Sequence, residues 1–142
     1  MPRLYGETLC PSRKVGAMSG ERLLLDTNVI IGFLKGEKSI VQFLDKRLKE
    51  GAVLFVSQIT RMEILSYHGL SKEDEAEIKE FLADTQILML EPRVEAKAVA
   101  MRREHRLKLP DAVIVATALI HNCILVTCDL DLGTKRIAGC CL

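Results

Sequence analysis

The sequence predicts an α/β domain of three layers, with a central parallel sheet of four to five strands between two layers of helices. Two observations carry this. From residue 22 onward, short apolar runs of strand length alternate with segments of helical periodicity. The runs "LLL", "VLFV" and "ILV" are also continuously apolar, as expected of parallel strands covered on both faces. A chain of 142 residues suits one compact domain around a single core.

The elements follow in order. "RLLLD" is a strand, and "NVIIGFL" a short helix that Gly36 can end. "SIVQFLDKRLKE" has apolar residues at helical spacing up to Gly51. "AVLFVS" is the second strand, and "QITRMEILSYHG" a helix closed by Gly69. Ser71 caps "SKEDEAEIKEFLAD", with Asp74 at the capping-box position. "QILMLE" is the third strand. Pro92 and Pro110 open the helices "PRVEAKAVAMRREHR" and "PDAVIVATALIHN". "CILVT" is the fourth strand and "RIAGCC" a short fifth. Residues 1–20 show no periodicity and no apolar centre of a signal peptide. They read as a disordered leader ahead of a domain spanning 21–142, with Met18 an alternative start.

Composition removes several classes of function. Apolar residues make up 49% of the chain, too many for a disordered protein. A net charge of +1 gives no overall pull toward nucleic acid or membrane, so such binding needs a local patch. No apolar run reaches the ~18 residues of a membrane span. The five cysteines lack a paired CxxC and read as reduced cytoplasmic thiols, not as a zinc site. No Gly-rich phosphate loop and no GxSxG is present, and His68, His105 and His121 lack the context of a catalytic triad.

Four acids stand in unusual places. Asp26 ends a buried strand, where a carboxylate loses hydration and needs a partner. Glu63 lies six residues past Ser57, the last residue of strand two, among Ile59, Met62, Ile64 and Leu65. Asp111 opens a very apolar helix, and Asp129 follows strand four, with Asp131 two residues on. Each has an ordinary explanation: a first-turn charge worth ~0.3–1 kcal/mol for Asp111, a turn residue for Asp129, an exposed helix acid for Glu63. Together they lie near the carboxyl edge of the strands, where ligands bind in such sheets. Carboxylates converging there repel one another and raise each other's pKa values. A hard divalent cation, Mg²⁺ or Mn²⁺, removes that conflict and suits phosphodiester cleavage. A dehalogenase-type phosphatase also begins with an Asp after a buried strand, but needs Asp-x-Asp, and Asn28 stands at the second position.

These residues resemble a PIN domain, and more narrowly the VapC-type toxin ribonucleases, from Leu23 to the C-terminus. "LLLDTNVII", "VSQITRMEIL", "LPDAVIVATAL" and "ILVTCDLDL" are similar to four segments of that family, in order and at the expected separations. The resemblance implies that Asp26, Glu63, Asp111 and Asp129 surround one or two Mg²⁺ or Mn²⁺ ions. Thr27, Asn28 and Thr127 would orient those acids through hydrogen bonds. It further implies an RNA substrate, a cognate antitoxin and a homodimer. "DLDLG" departs from the family's usual Asp-Phe ending, so the fourth acid is Asp129, Asp131 or both; the spacing from Thr127 favours Asp129. A PIN-like module that binds RNA or protein without cutting is the competing class, against which the presence of all four acids counts.

Arg102, Arg103, Arg106 and Lys108 form a basic run upstream of Asp111. Such runs are commonly solvated helix faces, but here the position suits neutralising RNA phosphates. Two tyrosines and four phenylalanines are too few for an aromatic platform that selects bases. The first two helices carry Val29, Ile30, Phe33, Leu34, Ile40, Val41, Phe43 and Leu44, most of them core. The resemblance places the antitoxin groove in that region.

Overall fold

A computed structural model of the chain describes residues 20–129 and the backbone of 140–141. The expected leader, apart from Gly20, and Asp131 lie outside the described residues. The strands are β1 (Arg22–Leu25), β2 (Val53–Ser57), β3 (Gln86–Leu88), β4 (Ile124–Thr127) and β5 (Cys140–Cys141). The helices are α1 (Thr27–Leu34), α2 (Lys38–Lys49), α3 (Gln58–Leu65), α4 (Lys72–Ala83), α5 (Pro92–His105) and α6 (Leu109–Ile120). All strand pairs are parallel, in the order β3-β2-β1-β4-β5.

The continuous apolar runs are explained by the alternation of side chains across the sheet. Leu23 and Leu25 of β1 join Leu54, Val56 and Val126 on one face, with residues of α1, α2 and α4 and Ile64 of α3. Leu24 joins Phe55 and Leu125 on the other, against α5 and α6. The register aligns Leu24 with both Phe55 and Leu125, so the second core forms across three neighbouring strands. Leu23, Leu24 and Leu25 are completely buried, each worth roughly 1.5–3 kcal/mol. A tilted ring contact between Phe33 and Phe81, 5.2 Å between centroids, locks α1 against α4.

Several boundaries differ from the sequence reading by a residue or more, three of them at points that shape the site or the sheet edge. Helix α3 ends at Leu65, ahead of Gly69, because the Ser66 hydroxyl bonds back to the Met62 carbonyl and competes with helix continuation. Gly69 instead takes φ +79° in the turn before α4, a conformation suited to glycine. Strand β3 keeps only three of the six residues of "QILMLE": it is an edge strand, and Leu90 N turns to the Gln58 side chain (2.9 Å). Helix α6 starts at Leu109, with Pro110 inside its first turn. The Ser71–Asp74 capping box on α4 is present in both halves.

The chain runs from β1 to β3 in one direction across the sheet, then crosses to place β4 on the far side of β1. That reversal opens a crevice beyond the carboxyl ends of β1 and β4.

Candidate active site

Asp26 is the first residue beyond β1 and the N-cap of α1. Its backbone N–H donates to Val126 O (3.0 Å), which fixes it to β4, and only 5% of its surface is exposed. Oδ1 accepts from Thr27 N (2.7 Å) and Oδ2 from Thr127 Oγ1 (2.6 Å). Each carboxylate oxygen has a second lone pair, so these bonds aim the group without exhausting it. Burial raises the Asp26 carboxyl above its ordinary pKa; the bonds from Thr127 and Thr27 oppose this, and the charges of Glu63 and Asp129 add to it.

Glu63 is held by hydroxyls. Its Oε1 accepts from Thr27 Oγ1 at 2.7 Å. Thr27 Oγ1 is also 3.2 Å from Thr60 Oγ1, which is 3.1 Å from Ser57 Oγ. A hydroxyl has one proton, and the carboxylate takes that of Thr27. The order that satisfies every group therefore runs from Ser57 to Thr60 to Thr27 to Glu63. Ser57 also caps α3 by accepting from Thr60 N (3.2 Å).

Asp111 enters from the first turn of α6. Burial raises its pKa most, the charges of Asp26 and Asp129 raise it further, Lys108 lowers it and Glu63 adds a smaller push upward. Asp129 follows β4, with its N–H donating to Thr127 Oγ1 (3.0 Å). Thr127 thus accepts from one acid's backbone and donates to the other acid's carboxylate. Asn28 holds the chain beside Asp129, its Oδ1 accepting from Cys128 N at 3.2 Å.

The structure brings together the four acids singled out in the described sequence. Asp26, Glu63, Asp111 and Asp129 line one open cavity of about 240 Å³, with Thr27, Asn28, Ile31, Tyr67 and Ile114. Among the described residues, no three Asp, Glu, His or Cys side chains stand close enough to enclose an ion as posed. Asp26 feels the charges of Glu63 and Asp129, and Asp111 those of Asp26, Asp129 and Glu63, so the cluster without a cation is electrostatically unfavourable. The donor set is all hard oxygen, which fits Mg²⁺ or Mn²⁺ and not a soft metal.

The basic run divides. Lys108 acts electrostatically on Asp111, whereas Arg102, Arg103 and Arg106 line a separate cavity of about 540 Å³ with Val99, Leu107 and Leu109. An apolar-walled groove of about 380 Å³ is formed by Ile31, Leu34, Ile64, Tyr67, Leu70 and Ile78, with Lys35, His68, Asp74 and Glu77. Its walls come from α1, α3, α4 and the turn between α3 and α4; of the first two helices only α1 contributes, because α2 turns Ile40, Leu44 and Leu48 into the core. Sequence reasoning did not place Ser57, Thr60 and Tyr67 in the site; the three-residue spacing of Ser57, Thr60 and Glu63 was the visible signal for the first two.

The PIN domain profile matches residues 23–138. The chain belongs to the PIN family. Among solved structures, a chain of a toxin–antitoxin complex from Klebsiella pneumoniae is 30% identical, with a TM-score of 0.71 over 84% of this PIN domain chain and 95% of that one. VapBC2 of Rickettsia felis, solved with a promoter DNA fragment, is 17% identical, with a TM-score of 0.74 over 85% and 98%. VapBC-1 of nontypeable Haemophilus influenzae is 19% identical, with a TM-score of 0.70 over 85% and 96%. The last two speak for the fold alone. No curated protein matches the sequence. PIN domains are in general nucleases, so phosphodiester hydrolysis is the reaction class this membership supports.

Proposed function

We propose that this PIN domain is a Mg²⁺- or Mn²⁺-dependent ribonuclease and the toxin of a type II toxin–antitoxin pair. The observation that carries the reading is the meeting of four carboxylates, from the ends of β1 and β4 and from α3 and α6, in one cavity. Asp26, Glu63, Asp111 and Asp129 would hold the ion; Asp131 remains an additional candidate. A bound divalent ion supplies charge stabilisation at the scissile phosphate and an acidified water. The chain's own residues do the rest. Thr27 and Thr127 hold the Asp26 carboxylate in one orientation, and the Ser57–Thr60–Thr27 hydroxyls do the same for Glu63. Lys108 brings positive charge to the Asp111 side of the cavity, and Arg102, Arg103 and Arg106 offer a basic track for the phosphates beyond it.

The antitoxin partner is supported by the 30%-identical Klebsiella chain, which was solved in a toxin–antitoxin complex, and by the groove beside the acids. That groove suits an amphipathic segment with apolar anchors. We also infer a homodimer, supported by exposed Val99 on α5 and Leu119 on α6. Among the described residues, no helix is long and apolar enough to cross a membrane; the cytoplasmic location rests on the reading of the thiols as reduced.

The deciding experiment compares wild type with Asp111→Asn for cleavage of single-stranded RNA, with Mn²⁺ and with chelator, alongside thermal melts. The wild type should cut only with the metal, and the variant should be inactive with a near-normal melt. Full activity in the variant removes Asp111 from catalysis, and an inactive wild type that still binds RNA favours a binding module.

A further inference from the structure

The acidic cavity and the apolar groove meet at two shared residues, Ile31 and Tyr67. Tyr67 follows α3, four residues after Glu63, and 51% of its surface is exposed. Among the described residues it is the one exposed aromatic side chain: Phe33, Phe55 and Phe81 are buried and Phe43 is partly buried. Core packing therefore does not account for this ring.

The size of the cavity sharpens the point. At about 240 Å³ it is smaller than the roughly 300–1,000 Å³ of pockets that enclose a drug-sized ligand. An open cavity of this size has room for a phosphate group among the acids. The attached base then lies toward the rim, where Tyr67 is the exposed aromatic residue. Any base can stack on such a ring, but only if a neighbouring base does not already cover that face.

We propose that Tyr67 is the side chain that holds the substrate's base, stacking on the unpaired nucleobase next to the scissile phosphate. This rests on the ribonuclease reading above. A base inside a duplex is covered on both faces and cannot occupy the position without unstacking.

The test uses the full chain with Mn²⁺ and a short mixed-sequence single-stranded RNA. Tyr67→Ala should raise KM about 5- to 150-fold with little change in kcat, the span expected of one stacked base. Tyr67→Phe should restore the wild-type KM. An abasic nucleotide beside the cleaved bond should weaken the wild type to the same degree and leave Tyr67→Ala unaffected. Because the chain has no tryptophan, Tyr67→Trp gives a single indole whose emission should fall on adding single-stranded RNA and not a blunt duplex. If Tyr67→Ala handles the single strand as the wild type does, stacking is overturned and the ribonuclease reading stands. Loss of a protein partner alone in that variant assigns the ring to the groove and likewise overturns stacking. If the wild type cuts no RNA, both readings fall.

Discussion

Thr127 and Asp26 lie 101 positions apart in the chain, yet the threonine hydroxyl donates to the aspartate carboxylate at 2.6 Å in the protein interior. The bond ties the end of β4 to the end of β1 at the point where the strand order reverses. Thr127 also accepts from Asp129 N, so one side chain sets the geometry of two of the four acids.

Thr127→Val keeps the shape and removes the hydroxyl. The buried Asp26 oxygen then loses its donor, which should cost about 1–3 kcal/mol of stability in the metal-free protein. Mn²⁺ affinity or RNA cleavage should fall roughly 10- to 100-fold, as is usual when a ligand loses its orienting partner. Thermal melts and Mn²⁺ calorimetry check both effects; unchanged Mn²⁺ affinity would separate Thr127 from the site.

Asp26 and Asp111 make the metal-free protein sensitive to pH in an unusual direction. Both carboxyls have raised pKa values, with burial the first cause, against 3.8 for the free group. The folded state therefore holds these protons more tightly than the unfolded chain. Their contribution to stability is fully present below 3.8 and is lost as pH rises through the folded values. In chelator, Asp26→Asn should melt higher than wild type near neutral pH and lose less stability between acid and neutral pH. Added Mn²⁺ should stabilise the wild type more than the variant. A variant that melts lower than wild type at neutral pH in chelator would show that the carboxylate is not a buried burden.

Replacing Arg102, Arg103 and Arg106 together by Ala should weaken RNA binding and flatten its salt dependence. Each lost phosphate contact reduces the log–log slope by ~0.7 on a single strand. Equal slopes for variant and wild type would return the three to solvated helix charges.

Ser71→Ala removes the capping box of α4, remote from the chemistry. It should cost about 1 kcal/mol in a melt and leave RNA cleavage unchanged. A loss of cleavage matching that of Thr127→Val would mean that activity follows global stability and not the acid geometry.

The sequence by itself determined the strands and most of the helices, because a run such as "RLLL" followed by helical spacing buries well in only one way. It also exposed Asp26, since a carboxylate at the end of a buried strand conflicts with its surroundings unless something occupies it. The i, i+3 capping signal at Ser71 was legible for the same reason, that its bonds are local. The meeting of the acids was expected from their strand-end and helix-start positions and from the family resemblance, but its geometry was not legible in any one segment. It depends on β4 crossing to the far side of β1, which sets Thr127 against Asp26 and Asp129 beside both. The Ser57–Thr60–Thr27 path to Glu63 likewise joins α3 to α1, and the end of α3 at Leu65 leaves Tyr67 on the rim of the cavity. Local patterns fix what each segment becomes, because they act over a few residues of chain. Packing of one strand beside another fixes which side chains meet, because only burial across the whole sheet selects the order.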